Sequence, residues 1–205
     1  MKLAIISGTP KMDGITHSFL QVAVDTADGL GIDADVIRLA GKGGENLTKC
    51  KMCSDGWGIC FSEHRCEYEL EDGFGKLHHR MQDADAYVYI TPVYWGEISE
   101  DMKIFLDKLR RCEATRRWDK PTANPSKLKG KPSIIVANAG GGGGGIVTTF
   151  ADFERAISQM EGDDWPRETC GIFDMIAVNR WNQDYKRDAL RSAITEMYKH
   201  WKKKD

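Results

Sequence analysis

Four cysteines, Cys50, Cys53, Cys60 and Cys66, follow one another with the spacing C-x2-C-x6-C-x5-C. Thiolates grouped so closely have the donor chemistry for a [4Fe-4S] cluster or a zinc ion. The same residues also serve as small apolar packing groups in a metal-free loop, so the spacing alone leaves three readings open. A second stretch, Ser7-Gly8-Thr9-Pro10-Lys11 through Ile15-Thr16-His17-Ser18, offers hydroxyls, a cation and a helix start within one loop. Such a loop can hold a phosphate through side chains, backbone N–H groups and the positive helix end. It can also be an ordinary capped strand-to-helix turn. The loop has neither G-x-G-x-x-G nor G-x-x-x-x-G-K-[ST], which sets aside the Rossmann dinucleotide and nucleoside-triphosphate readings. Two more stretches could meet a flat ligand. One is Thr91-Pro92-Val93-Tyr94-Trp95-Gly96-Glu97-Ile98-Ser99, with two aromatic rings, and the other is Asn138-Ala139 followed by the glycines Gly140 to Gly145. The first could equally be an aromatic cap on the core, and the second a flexible loop.

These stretches gain meaning from the elements around them. Short apolar runs at residues 2–6, 34–39, 86–91, 133–138 and 172–178 read as strands. Amphipathic stretches at about 16–30, 72–81, 99–112, 149–160 and 183–203 read as the helices between and after them. Strands alternating with helices build a parallel sheet covered on both faces. In such a sheet, ligands bind beyond the carboxyl ends of the strands where the winding reverses, and the phosphate-like loop, the aromatic stretch and the glycine run all follow strands. Residues 41–71, with the four cysteines, and 113–130, rich in Arg, Lys and Pro, interrupt the alternation as insertions or plain loops. Cys112 and Cys170 fall in regular elements and read as buried packing residues.

The 205 residues and ordinary apolar content fit a single domain over 1–205, with the cysteine segment as an insertion. A net charge of -2 gives no global reason to expect nucleic acid. The strand beginning at Lys2 is too short for a signal peptide or membrane span, so a soluble cytoplasmic protein with reduced thiols is expected. Arg110, Arg111, Arg116, Arg117, Lys127, Lys129 and Lys131 could receive a phosphate or simply form a solvated face.

Together the first loop and the Pro92-Val93-Tyr94-Trp95-Gly96 stretch resemble the NADPH-dependent FMN reductase family and its iron-sulfur flavoprotein relatives. Thr9 and Lys11 stand where the family loop G-S-P-R-x-x-G-x-T has Ser and Arg. The resemblance implies a flavodoxin-like doubly wound sheet of five parallel strands in the order 2-1-3-4-5. It implies that Ser7, Thr9, Lys11, Ile15, Thr16 and His17 hold the phosphate of FMN. Pro92, Val93, Tyr94, Trp95 and Gly96 would lie against the isoalloxazine ring, with Asn138, Ala139 and Gly140 at its other edge. Hydride would come from NAD(P)H and pass to a small acceptor such as a quinone, flavin, nitroaromatic or metal ion. No catalytic side chain is required, because the flavin itself carries the chemistry. Iron-sulfur relatives carry a compact cysteine motif at this place, so the resemblance allows a [4Fe-4S] cluster at Cys50, Cys53, Cys60 and Cys66, although the family has its third cysteine three residues after the second and cluster-free relatives keep cysteines here as packing residues. It further implies a homodimer or homotetramer, with Trp57 and Trp95 as candidate contact residues. An electron carrier without a substrate is the alternative; its usual strong acidity is missing here. A zinc-stabilised interaction protein without flavin is a third class.

Overall fold

The structure, a computed structural model, describes residues 1–54, 58–114, 126–161 and 171–203. Trp57, Arg116, Arg117 and Cys170 lie outside the described residues. The strands are β1 (Lys2–Ser7), β2 (Asp33–Arg38), β3 (Ala86–Tyr94), β4 (Glu97–Ile98), β5 (Ser133–Ala139) and β6 (Ile172–Val178). The helices are α1 (Ile15–Gly29), α2 (Ile59–Ser62), α3 (Phe74–Asp83), α4 (Glu100–Ala114), α5 (Ile146–Glu161) and α6 (Gln183–Lys202). The long strands pair in parallel in the order β2-β1-β3-β5-β6, with β4 antiparallel to β3. Counting only the parallel strands, this is the expected flavodoxin-like order 2-1-3-4-5.

Alternation along the strands divides the core in two. Ala4, Ile6, Tyr87, Tyr89 and Ile135 face one side and pack with residues of α3, α4 and α5, including Phe74, Phe105 and Phe153. Leu3, Ile5, Val88, Ile90, Ile134 and Val136 face the other side and pack with α1 and α6 through Phe19, Leu20, Leu190 and Ile194. The two faces therefore come from consecutive residues of the same strands. At the sheet edges the cover thins: Val36 on β2 and Phe173 on β6 are both exposed. Among the described residues no helix is long and apolar enough to cross a membrane.

Three boundaries differ from the sequence reading. β3 continues past Thr91 through Pro92 to Tyr94. β1 ends at Ser7, opposite Ile90, so beyond that point one side of β3 is an edge where the missing N–H of Pro92 costs no ladder bond. The stretch read as a rim loop is thus a hairpin. α3 begins at Phe74 because Gly73 before it is left-handed, at a φ of 74°; Asp72 Oδ1 accepts from Phe74 N at 3.2 Å, while Thr48 donates to Asp72 Oδ2 from N at 2.9 Å and from Oγ1 at 2.7 Å, and Lys108 Nζ pairs with it. α5 starts at Ile146, directly after the glycines, where Thr149 N donates to Gly145 O at 3.0 Å.

The most buried charge sits at the amino end of the sheet. Glu113, near the end of α4, accepts from Gln82 Nε2 at 2.8 Å, Ser126 Oγ at 2.7 Å and Lys127 N at 3.2 Å, and lies 2.6 Å from His78 Nε2. Burial opposes its charge, but these partners outweigh burial and hold the carboxyl down at about 2. Replacing Glu113 with Gln leaves His78 facing a neutral amide and is expected to cost roughly 2–4 kcal/mol at pH 7. A carboxyl held below its ordinary value of 4.5 stabilises fully above that pH and loses the contribution as pH falls toward about 2. Denaturant unfolding of wild type and Glu113→Gln should therefore show a gap that narrows between those pH values; a gap constant with pH would contradict this.

Candidate functional site

The carboxyl ends of β1, β3 and β5 meet at one rim. Ser7 closes β1 fully buried, and its Oγ has no hydrogen-bond partner among the described residues. Gly8 follows because nothing larger fits: a Cβ there would lie 2.6 Å from Ser99 Oγ and 3.0 Å from Met102 Cβ. Ser99 Oγ donates to Gly8 O at 3.1 Å, and Thr91 Oγ1 donates to Ser99 Oγ at 3.1 Å. One hydroxyl thereby links the end of β1, the middle of β3 and the start of α4. Gly8 N also donates to Ile90 O at 2.9 Å.

The loop then turns into α1. Thr9 is buried, Lys11 is exposed, and Lys11 N donates to Thr9 Oγ1 at 3.4 Å. α1 starts after Gly14, which supplies no side-chain cap, and its first turn carries no acid. Its positive end is therefore left uncompensated by the helix itself. His17 Nδ1 is buried there without a partner among the described residues. Thr16 Oγ1 accepts from Asn138 Nδ2 at 2.9 Å, joining this turn to the end of β5. Two orphaned polar atoms and an uncapped helix start are the features of a preformed anion site.

The neighbouring wall is built from β3, β4 and the glycine run. Pro92 pairs with Asn138 and Val93 with Ala139. Trp95 and Gly96 both have positive φ, 53° and 85°, which makes the two-residue turn between β3 and β4 the type I′ form that suits twisted strands. A left-handed tryptophan is costly, and this one is fully exposed, beside half-exposed Tyr94. The glycine run packs against this hairpin. A Cβ on Gly145 would lie 2.2 Å from Gly96 Cα, and Thr148 Oγ1 donates to Gly96 O. Gly141, Gly143 and Gly145 alternate in positive φ, so the run follows a defined path that L side chains disfavour.

The sequence reading brought Ser7, Thr9, Lys11, Ile15, Thr16, His17, Pro92 to Gly96 and Asn138 to Gly140 to this rim, and the structure gathers them there. It included Ser99 in the aromatic stretch without giving it a role, and it passed over Thr148 and the loop after β6. The last had a faint signal, since two asparagines, Asn179 and Asn182, bracket the strand-to-helix junction. Lys127, Lys129 and Lys131 precede β5 and so lie at the amino end of the sheet, opposite the rim; Lys131 Nζ donates to Gln82 O at 2.6 Å.

The profile of the NADPH-dependent FMN reductase family matches residues 1–154. The chain belongs to that family. An iron-sulfur flavoprotein of Methanocaldococcus jannaschii is 30% identical over 110 residues, 54% of this chain and 52% of the relative. One of Methanosarcina thermophila is 25% identical over 108 residues, 53% of this chain and 52% of the relative. The chain spans about half the length of these curated relatives. Among solved structures, the FMN-dependent NADH-azoreductase of Bacillus anthracis superposes with a TM-score of 0.63 at 10% identity, covering 96% of this chain and 98% of its own. A flavodoxin of Streptococcus pneumoniae gives 0.60 at 15% identity, covering 98% and 99%. At that identity the agreement is one of fold.

Four of the cysteines of this family member, Cys50, Cys53, Cys60 and Cys66, follow β2 and precede α3, and Cys112 lies on α4. Cys50, Cys53, Cys60, Cys66 and Cys112 are all thiols rather than disulfides. Cys60, on the one-turn helix α2, and Cys112, on α4, are buried; Cys60 packs in the same core cluster as Leu47 and Leu77. Burial raises the Cys53 and Cys66 thiols, Cys53 further through a bond with Glu67, and burial raises Cys112 strongly. The segment carries left-handed backbone at Asn46, Met52, Ser54 and His64. Among the described residues no three Cys, His, Asp or Glu side chains converge as metal donors.

Gly145→Ala places a Cβ on the Gly96 backbone at a φ of 82° and is expected to destabilise the protein by about 2 kcal/mol or more. Gly144→Ala meets nothing within 4 Å and should stay within about 0.5 kcal/mol of wild type. Thermal unfolding of the two variants side by side checks the claim, and equal midpoints would refute it.

Proposed function

We propose that the chain, folded as one unit over residues 1–205, binds FMN at this rim and serves as an oxidoreductase. Hydride would come from NAD(P)H and pass to a small acceptor of the quinone, flavin, nitroaromatic or metal-ion classes. The observation that carries the reading is the pair of buried, unpartnered atoms Ser7 Oγ and His17 Nδ1 beside the uncapped start of α1. A dianionic phosphate satisfies both atoms and the helix end together. Family membership and the FMN-dependent azoreductase neighbour point the same way.

Each part of the rim then has a task. Ser7, Thr9, Thr16 and the N–H groups from Ile15 to His17 bind the phosphate, and Lys11 adds a cation from the exposed side. Asn138 holds Thr16 in position through its side-chain bond. Pro92 to Gly96 flank the ring plane, and Asn138 to Gly140 border its other edge, where absent side chains allow close approach. Bound FMN supplies the hydride and electron chemistry, so the protein's work is binding, orientation and exclusion of water. No side chain is assigned as a catalytic acid or base.

The curated relatives favour a second electron group at Cys50, Cys53, Cys60 and Cys66, since they are named iron-sulfur flavoproteins. The donor set fits a [4Fe-4S] cluster in residue type but does not converge among the described residues, so no electron step is routed through it. An electron carrier without its own substrate is the corresponding alternative function. Assembly as a homodimer or homotetramer belongs to the same proposal, as do a cytoplasmic location and the absence of nucleic-acid and membrane partners.

An anaerobic absorption spectrum before and after NADPH, with iron and zinc measured on the same sample, is the direct test. Flavin bands that bleach with NADPH support the reductase, and stoichiometric iron supports the cluster. Lys11→Ala and Ser7→Ala should each weaken FMN binding by about tenfold, the effect of one lost charge-assisted or buried hydrogen bond. Failure of the wild-type protein to take up added FMN would falsify the proposal.

A further inference from the structure

The loop between β6 and α6, residues 179–182, is held far more tightly than its length requires. Asn179 N donates to Asn182 Oδ1 at 2.8 Å, and Trp181 N donates to Asn179 Oδ1 at 2.9 Å. Asn182 Nδ2 donates to Ala177 O at 3.1 Å, and Gln183 Nε2 donates to Arg180 O at 3.2 Å. Arg180 N donates to Gly141 O at 3.2 Å, which docks the loop on the glycine run. Polar bonds thus fix the backbone around two side chains that make no side-chain hydrogen bond among the described residues.

Those side chains are Arg180 and Trp181. Trp181 is 73% exposed. Its ring reaches the glycine run, with Cζ3 3.8 Å from where a Cβ of Gly142 would stand. Arg180 is exposed and makes no side-chain hydrogen bond or ion pair among the described residues. The adjoining strip is bare: a Cβ at Gly140, Gly141 or Gly144 would meet nothing within 4 Å. The nearby acid Asp184 is paired with Arg187 at 2.6 Å and so does not claim Arg180. An exposed indole on a fixed backbone beside bare glycines offers a stacking face. An unclaimed guanidinium next to it offers a planar fork for an anion.

Resting on the FMN reading, we propose that Arg180 and Trp181 form the acceptor-recognition side of the site, taking a planar aromatic ligand that carries a negative charge. The ring lies on Trp181 over the bare glycines, and the charge pairs with Arg180. The pair thereby determines which acceptors are taken rather than whether FMN is held.

The test uses FMN-loaded, oxidised protein without reductant, so that binding is read apart from turnover. The probes are 1,4-naphthoquinone-2-sulfonate and its neutral counterpart 2-methyl-1,4-naphthoquinone, titrated by calorimetry and by perturbation of the flavin spectrum. Trp181→Ala is expected to weaken both probes by about tenfold, and Arg180→Ala to lower the preference for the sulfonate by about tenfold. FMN affinity should stay within about twofold in both variants. Probe affinities within about twofold of wild type in both variants would overturn the inference, as would loss of FMN from either variant. Dissociation of an oligomer by Trp181→Ala in analytical ultracentrifugation would also overturn it, in favour of a subunit contact. No FMN uptake by the wild-type protein would instead remove the reading on which the inference rests.

Discussion

The hydroxyl of Ser99 joins parts of the rim that are remote in sequence. It bonds the carbonyl of Gly8 and receives the hydroxyl of Thr91, so the turn after β1, the body of β3 and the first residue before α4 share one point. The bond forms only because Gly8 has no Cβ to fill the 2.6 Å to that oxygen. Everything downstream depends on that approach. With Gly8 seated, Ser7 points its hydroxyl into a buried place with no partner among the described residues, and the chain can turn through Pro10 into an uncapped α1. Thr16 and Asn138 then fasten the turn to β5. The polar atoms left over mark where a ligand would complete the structure.

A different logic governs the cysteine segment and the helices beneath it. There the structure satisfies itself. Lys108 and Asp72 are almost wholly buried together, with Thr48 completing the acid's bonds, and Lys108 lies over the Phe74 ring. Burial of Cys60 and Cys112 joins that segment to the same core as α3 and α4. Glu113 and its partners do the same at the amino end. Buried charges in these places have their counterparts, whereas at the carboxyl rim the buried polar atoms Ser7 Oγ and His17 Nδ1 have none among the described residues, and this asymmetry separates scaffold from site without reference to any relative.

Much of this was legible in the residues. The apolar runs located every long strand within a few positions, and the resemblance supplied their order. The strand ends followed by Ser, Thr, Asn and Gly pointed to the rim, and the resemblance assigned the individual residues there. The hairpin escaped notice because a type I′ turn normally advertises itself with Asn or Gly at both central positions, and here Trp95 takes the first. The loop of Asn179 and Asn182 escaped because its role arises from side chains bonding main chain across four residues and from contact with glycines nearly forty positions earlier. Pairing of His78 with Glu113 likewise crosses a span that no local pattern reports.

The glycine run looks like a stretch in which one residue more or less would be harmless, yet it is anchored at both ends. Gly141 is tied by its carbonyl to Arg180, and Gly145 is wedged against Gly96. Six identical residues therefore act as a ruler between the β4 hairpin and the loop before α6. Deleting one would keep the composition but disturb the turns bonded Gly143 N to Gly140 O and Ile146 N to Gly143 O, pulling one anchor out of place. What the chain encodes there is a length, and drift in that count would alter the geometry of the rim as surely as replacing any of its chemical groups.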